Sequence, residues 1–358
     1  MRIAFIGSSL VSSYWNGAAT YYRGLLRALA GRGHEVAFFE PDAFGRQERR
    51  DIADPPYARV TVWPATEAGM AAALAGAGDA DLIVKASGVG VFDAELEVGV
   101  LSLKRPANTV VFWDVDAPAT LDRVANDPAD PFRALVPRFD MVFTYGGGEA
   151  VRRAYTALGA QACVPVYNAL DPLTHHSVPA DGRFAGTLGF LGNRLPDREA
   201  RVEEFFLKPA ARLPDEAFLL GGAGWEGRDM PANVRHLGHV GTNDHNAFNC
   251  GMRAVLNVNR ASMAAYGFSP PTRLFEVAGA GACLVTDAWE GIEAFLTPGE
   301  EVLVAGDGEE VVAHLAGLDE ARARSIGEAA RRRLLAEHTY DRRALLVEGA
   351  LERGEAVS

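Results

Sequence analysis

The chain has 358 residues, is 48% hydrophobic and carries a formal net charge of −12. Its length implies two domains with separate cores, and its acidity argues against a sequence-blind grip on nucleic-acid phosphates while leaving room for a local basic pocket that takes one small anion. Cys163, Cys250 and Cys283 are far apart and form no CxxC pattern, which implies buried thiols in a reducing compartment. MRIAFIGSSL turns polar too soon for a signal peptide, and no apolar run reaches the roughly 18 residues of a membrane span. The expected location is the cytoplasm, with no integral membrane segment.

RIAFIG (2–7) predicts a buried strand, and NGAATYYRGLLRALAGRG (16–33) a helix that closes on glycines. Leu25, Leu26 and Leu29 give that helix an apolar face, with Arg23 and Arg27 beside it. Further strands are expected at 34–40, 59–63, 81–87, 109–114 and 140–145. Helical stretches separate most of them, so βαβ units and a mainly parallel sheet follow. Residues 167–184 mix prolines with polar residues and have no period, as a linker does. The alternation then restarts, with strands expected at 187–192, 217–222, 234–238, 253–258, 282–287 and 301–305 and a helix at 197–213. The charged stretch 308–353 predicts two or three exposed helices. This gives an α/β chain with a Rossmann-like domain at 1–170, a second at 185–338, and a last helix in 339–358 packing back on the first. Ligands of such sheets bind beyond the carboxyl ends of the strands, so a cleft between the halves is the expected site.

Several stretches at those ends carry chemistry. In GSSLVSSYWNGAATYY, Asn16, Gly17 and the amides that follow can receive an anion or a sugar hydroxyl at a helix start; a flexible turn is the plainer alternative. VFWDVDAPATL places Asp114 and Asp116 at a strand end, where one of two differing carboxylates can act as a general base, although Asp116 can equally cap the helix that Pro118 begins. In TYGGGEAV, Gly147 suits either backbone approach by a ligand or a tight turn. LGNRLPDREARV sets Asn193, Arg194 and Arg198 at a helix start, where arginine opposes the helix dipole unless a bound diphosphate supplies negative charge; a surface cluster with Asp197 and Glu199 is the alternative. Gly222-Ala-Gly-Trp-Glu-Gly227 matches GxGxxG, but Pro231 and another strand follow where a dinucleotide site needs a helix. It is a Gly-rich loop, with Gly222 close to a ligand, and nicotinamide chemistry is not expected. His236, His239 and His245 are spaced poorly for a metal, and His245 is better placed to meet a donor.

FSPPTRLFEVAGAGACLVTD (268–287) concentrates these signals. Ser269 or Thr272 can cap a helix whose first turn tolerates the prolines, and Gly279 and Gly281 end it. Arg273 lies in the first turn, where its guanidinium and free amides can hold a phosphate together. Glu276, one turn deeper on the same face, can accept two hydrogen bonds from the vicinal hydroxyls of a ribose.

This stretch resembles the donor-site helix and following strand of the group 1 glycosyltransferases, in the branch related to the spore maturation protein CgeB. FLGNRLPDREARVEEFF, RHLGHVGTNDHNAFNCGMRAVLNVNR and DAWEGIEAFLTPGEEVLVA are similar to neighbouring blocks of that branch, and YWNGAATYYRGLLRALAGRGHEVAFFEPD to its first helix unit. The resemblance implies a GT-B architecture, two Rossmann-like domains with parallel sheets facing across a cleft. It further implies sugar transfer from a nucleotide-diphosphate donor held by the C-terminal domain, with no metal or other cofactor. Carried over, Glu276 is the ribose ligand, and Arg194 with Arg198 neutralises the leaving diphosphate. Many retaining members carry a second Glu eight positions earlier, where this chain has Phe268. If the reaction inverts, Asp116 is the first candidate for the base. The expectation is thus a glycosyltransferase of hexosyltransferase type acting on an unidentified acceptor; the alternative is a related protein that binds a nucleotide or glycan and transfers nothing.

Overall fold

The computed structural model describes residues 1–353 except 15, 261–263 and 265. The chain forms two compact units: Met1–Asn168 together with the C-terminal segment from Tyr340, and Ala169–Thr339.

Unit 1 is built on β1 (Arg2–Ile6), β2 (Glu35–Asp42), β3 (Arg59–Pro64), β4 (Leu82–Ala86), β5 (Thr109–Asp114), β6 (Met141–Thr144) and β7 (Cys163–Pro165). They form one parallel sheet in the order β3-β2-β1-β4-β5-β6-β7, with Ile3 opposite Val36 on one side and Leu82 on the other. Helices cover both faces of such a sheet, so the central strands are apolar throughout rather than alternating. One exception is Lys85 on β4, wholly buried, whose Nζ donates to Asp93 Oδ1 at 2.7 Å and to Ala86 O at 2.8 Å.

The helix expected at 16–33 runs from Ala19 to Gly31. It starts late because Asn16 is used in the preceding loop: its Nδ2 donates to Ser9 O and Ser12 O, and its Oδ1 accepts from Ser8 Oγ. Its far side receives the C-terminal helix Tyr340–Arg353. Tyr340 fits over Gly24 so closely that a Cβ there would lie 2.1 Å from its ring, and Tyr340 Oη donates to Asn168 Oδ1 at 2.5 Å. Glu348 meets Arg32 at 2.6 Å and His34 at 2.8 Å.

Unit 2 repeats the plan with β8 (Gly186–Leu191), β9 (Phe218–Gly221), β10 (Val234–Gly238), β11 (Met252–Asn257), β12 (Leu284–Asp287) and β13 (Leu303–Ala305). The parallel order is β10-β9-β8-β11-β12-β13. Leu188, Phe190, Phe206, Phe218, Leu220 and Leu256 fill the core on one of its faces. In each sheet the strand order reverses once, between β1 and β4 and between β8 and β11.

Two expectations need correction. The single helix expected at 197–213 is Glu199–Val202, a π-helical turn Glu203–Leu207, and Lys208–Arg212. Pro209 has no N–H to give and crowds the preceding turn, so the ladder widens there. The charged stretch forms Gly308–Ala316, Glu320–Glu337 and Tyr340–Arg353, and these are not simply exposed: Val311, Ala330, Leu334, Ala344 and Val347 are buried.

Gly24→Ala tests the Tyr340 contact. Alanine is the better helix former by about 1 kcal/mol, so an open site would be stabilised. Overpacking should instead destabilise the protein by roughly 1–3 kcal/mol in urea denaturation.

Candidate functional site

In unit 2 the loops beyond β8, β9 and β11 and the helix Thr272–Ala280 share the carboxyl edge of the sheet. That helix has Pro271 at its N-cap and no side-chain cap. Ser269 does not cap it, because its Oγ donates to Gly267 O at 3.0 Å, and Thr272 is the first helical residue; the prolines precede the helix instead of sitting in its first turn. The first amides are therefore left without the side-chain acceptor that would normally meet them. At the other end Gly281, at φ 76°, closes the helix, while Gly279 is inside it, against Leu170 and His175.

Arg273 and Glu276 lie on one face of this helix. Arg273 Nη1 is 2.6 Å from Glu276 Oε2, while Arg273 Nη2 donates to Leu191 O at the end of β8. The ion pair is close but not aligned, and neither Nη1 nor Oε2 has a hydrogen-bond partner. His245 Nδ1 is 3.8 Å from the same Oε2. Burial works to raise the Glu276 pKa, but the charges of Arg273, His175 and His245 hold it below 4.5. Both imidazoles are pushed below 6.5, chiefly by burial.

His175 was missed in the sequence, where it falls within the apparent linker. A turn nucleated by Asp171 sets it in place: His175 N donates to Asp171 O, and Leu173 N and Thr174 Oγ1 donate to the Asp171 carboxylate. Both of its ring nitrogens are buried without a partner. The His175-His176 doublet was the available signal, but a histidine pair in an aperiodic stretch carries little weight by itself. Asp287, buried at the end of β12 and bonded to Arg201 at 2.5 Å and to Asn259 N, was also missed.

The two expected arginines separate. Arg194 lies at the surface in a two-pronged pair with Glu199, at 2.9 and 2.8 Å, and Asp197 pairs with Arg260, so this part is the salt-bridge cluster. Arg198 turns inward: Nη2 donates to Asn193 O, the guanidinium lies 5.7 Å from the Phe190 ring centroid, and Nε is buried without a partner. Burial, followed by nearby Arg273, lowers its pKa, with Asp197 opposing. Asn193 Oδ1 accepts from Ala223 N and laces this loop to the Gly-rich one. Gly222, at φ 138°, approaches Gly192 so closely that a Cβ would stand 2.2 Å from its carbonyl oxygen. No helix follows that loop before β10.

In unit 1 the two carboxylates differ sharply. Asp114 is wholly buried and accepts from Ser87 Oγ, Thr120 Oγ1, Asp116 N and Tyr155 Oη. Burial pushes its pKa up, with those hydrogen bonds opposing. It is a strut between strands and helices. Asp116 is exposed and makes no capping bond to the helix Ala117–Asn126, contrary to the capping expectation. Gly17 is exposed with open space around it, whereas Gly147, at φ 91°, is required by the turn into Gly148–Ala157.

Acidification should loosen unit 2. Glu276 has a depressed folded pKa, so its contribution is present above about pH 4.5 and lost as pH falls. Burial depresses the folded pKa of the two histidines, so the unfolded chain takes up protons first and their contribution is lost as pH falls below about 6.5. The melting temperature should drop between pH 7 and pH 5, and drop less in a His175→Gln, His245→Gln double variant, as read by calorimetry.

Residues 198–348 match a family model described as "Glycosyl transferase-like". The match includes Arg198, His245, Arg273 and Glu276 and stops short of Asn193, Arg194 and His175. No curated protein matches the chain. Among solved structures it is similar to sucrose-phosphate synthase from Thermosynechococcus elongatus, with TM-score 0.69 and 17% identity over 99% of this chain and 98% of that one. HepE from Anabaena, solved in complex with UDP and glucose, gives 0.68 and 16% over 99% and 100%. The lipopolysaccharide outer core galactosyltransferase WaaB gives 0.60 and 14% over 99% of both chains. Among the described residues no helix is long and apolar enough to cross a membrane. The two units, each a parallel sheet covered by helices, have the Rossmann-like fold of GT-B glycosyltransferase structures.

Proposed function

We propose that the protein is a glycosyltransferase that moves a sugar, of hexose type, from a nucleotide-diphosphate sugar to a hydroxyl acceptor. One observation carries this reading: at the uncapped start of the helix Thr272–Ala280, Glu276 Oε2 and Arg273 Nη1 meet at 2.6 Å without an aligned hydrogen bond, and nearby Arg198 Nε is buried without a partner. Buried polar atoms rarely stay unpaired, and a ligand is the natural missing partner. A ribose offers two donors to Glu276, and a diphosphate offers acceptors to both arginines and the helix amides. HepE, similar in fold, binds UDP-glucose, which makes UDP the first nucleotide to test. We assign the chain to the CgeB-related branch, and three free cysteines suit a cytoplasmic setting.

In the reaction the bond between the sugar's anomeric carbon and the diphosphate oxygen breaks, its electron pair leaving with the diphosphate. Arg198 and Arg273 stabilise that charge, so the step needs no metal. The acceptor oxygen bonds to the anomeric carbon and its proton passes to a base. Asp116, exposed at the carboxyl edge of unit 1, takes this role.

A second reading, binding without transfer, is favoured by Phe268, which has no carboxylate to offer and sits at a strained φ of 43°. Donor turnover separates the two readings, since a pure binder hydrolyses nothing.

A thermal-shift panel of UDP, GDP, ADP, TDP and NAD tests the site. One nucleoside diphosphate at about 100 times its Kd should add roughly 2.7 kcal/mol of stability, and Glu276→Ala should abolish the shift. If none of the nucleoside diphosphates stabilises the protein, the reading fails. Asp116→Asn should keep the shift and lower transfer by about 10²–10⁴-fold; unchanged transfer would remove Asp116 from the mechanism.

A further inference from the structure

Unit 2 holds a second buried polar network at the carboxyl edge of its sheet. Asn257 ends β11 and Asp287 ends β12, and these neighbouring strands pair with Asn257 opposite Thr286. Asp287 is wholly buried. Its carboxylate accepts from Arg201 Nη2 at 2.5 Å, from Asn259 N at 3.1 and 3.2 Å, and from Thr286 Oγ1 at 3.2 Å. Arg201 belongs to the helix Glu199–Val202, which follows β8. The ion pair therefore joins the segment after β8 to the end of β12, across the point where the strand order reverses. Open parallel sheets receive their ligands in the crevice at such a point.

The network fixes the orientation of the Asn259 amide. Asn257 Nδ2 has Thr286 Oγ1 at 3.1 Å and Asp287 Oδ1 at 3.5 Å, and an ionised carboxylate can only accept. That end of Asn257 is its NH2, so the Asn259 atom that meets it at 3.1 Å is the oxygen, Oδ1. Asn259 Nδ2 is what remains. The residue is 2% exposed, and Nδ2 is buried with no hydrogen-bond partner. Arg201 Nε is buried without a partner as well. Both of these groups are donors, so the missing partner is an oxygen that accepts.

The neighbours indicate which oxygen. Asn259 adjoins Arg260, Arg260 Nε pairs with Asp197 at 2.6 Å, and Asp197 adjoins Arg198. Burial lowers the Arg198 pKa and Asp197 opposes it, while the charges of Arg273 and Arg260 lower it further, so Arg198 neighbours both. One row of groups thus runs Glu276, Arg273, Arg198, Arg260, Asn259. With a ribose at Glu276 and a diphosphate at Arg273 and Arg198, the next part of the donor along this row is its sugar. Arg201 is matched by Asp287 and Arg260 by Asp197, and a sugar carboxylate beside Asp287 would meet like charge. Resting on the donor reading above, we infer that Asn259 Nδ2 donates to a neutral oxygen of the transferred sugar, a hydroxyl or an acetamido carbonyl. Asn257 and Asp287 hold the amide in place for it.

The test is isothermal titration of the full chain with UDP, GDP, ADP and TDP, each beside its glucose conjugate, and with UDP-N-acetylglucosamine. Asn259→Ala removes the donor, and Asn259→Leu removes it at nearly constant shape; in both, Asn257 Nδ2 keeps Thr286 Oγ1 as a partner. Wild type should bind one nucleoside diphosphate and at least one of its sugar conjugates. Both variants should bind that nucleoside diphosphate as wild type does, which also reports an intact fold. They should bind the conjugate about tenfold more weakly, the effect of losing one buried hydrogen bond. A loss seen with the glucose conjugate assigns a hydroxyl, and one seen only with UDP-N-acetylglucosamine assigns the carbonyl. The inference is overturned if both variants bind the conjugate as tightly as wild type, if nucleotide and conjugate weaken equally, or if no conjugate binds. A wild type that binds none of the nucleoside diphosphates would instead sink the donor reading, and this assignment with it.

Discussion

Taking a carboxylate out of water costs several kcal/mol unless positive charge comes with it, and unit 2 buries Glu276 to 9% exposure. Much of the local structure follows from that cost. Arg273 must stand one turn earlier on the same helix, 2.6 Å away. His245 arrives from the helix His245–Gly251, and His175 from a turn that Asp171 holds. Gly279 has to remain small, since a Cβ there would meet Leu170 at 2.4 Å and His175 at 3.1 Å. The charge is compensated by proximity, yet hydrogen-bonding capacity is left over. A cluster built only for stability would use that capacity internally.

Unit 1 shows the contrasting solution. Asp114 is buried more completely still, but four donors surround it and no guanidinium is needed. Its oxygens are used, so it ties β4, β5 and the helices beyond them together and offers nothing to a ligand. Two buried acids, one inside a helix and one at a strand end, thus serve different purposes, and their hydrogen-bond partners tell them apart. The neighbouring Asp116 keeps a free carboxylate because its backbone, rather than its side chain, joins the Asp114 network.

The strands were legible in the sequence because a doubly covered parallel sheet demands continuous apolar runs, as in LIVKA and TVVFWD. The Arg273/Glu276 face was legible because helical spacing is fixed. Caps were less so: Ser269 and Asp116 have the right chemistry for capping, but Ser269 turns back to Gly267 O and Asp116 makes no bond to the helix amides. Arg194 and Arg198 are four apart and chemically alike, and only the competition from Glu199 separates a surface pair from an inward-facing one. His175 was beyond reach because its role depends on a turn returning to a helix about a hundred residues later. A pattern read along the chain does not record such meetings.

The segmentation of unit 1 has a consequence for how the protein is made. Its closing helix, Tyr340–Arg353, lies after the whole of Ala169–Thr339 in the chain. At about 5–20 residues per second, the ribosome takes roughly 10–30 s to synthesise that stretch. Throughout that interval Gly24 and its neighbours on Ala19–Gly31 wait without Tyr340, leaving an apolar groove open. Unit 2 is continuous and can close first. Synthesis order therefore favours the later unit maturing before the earlier one.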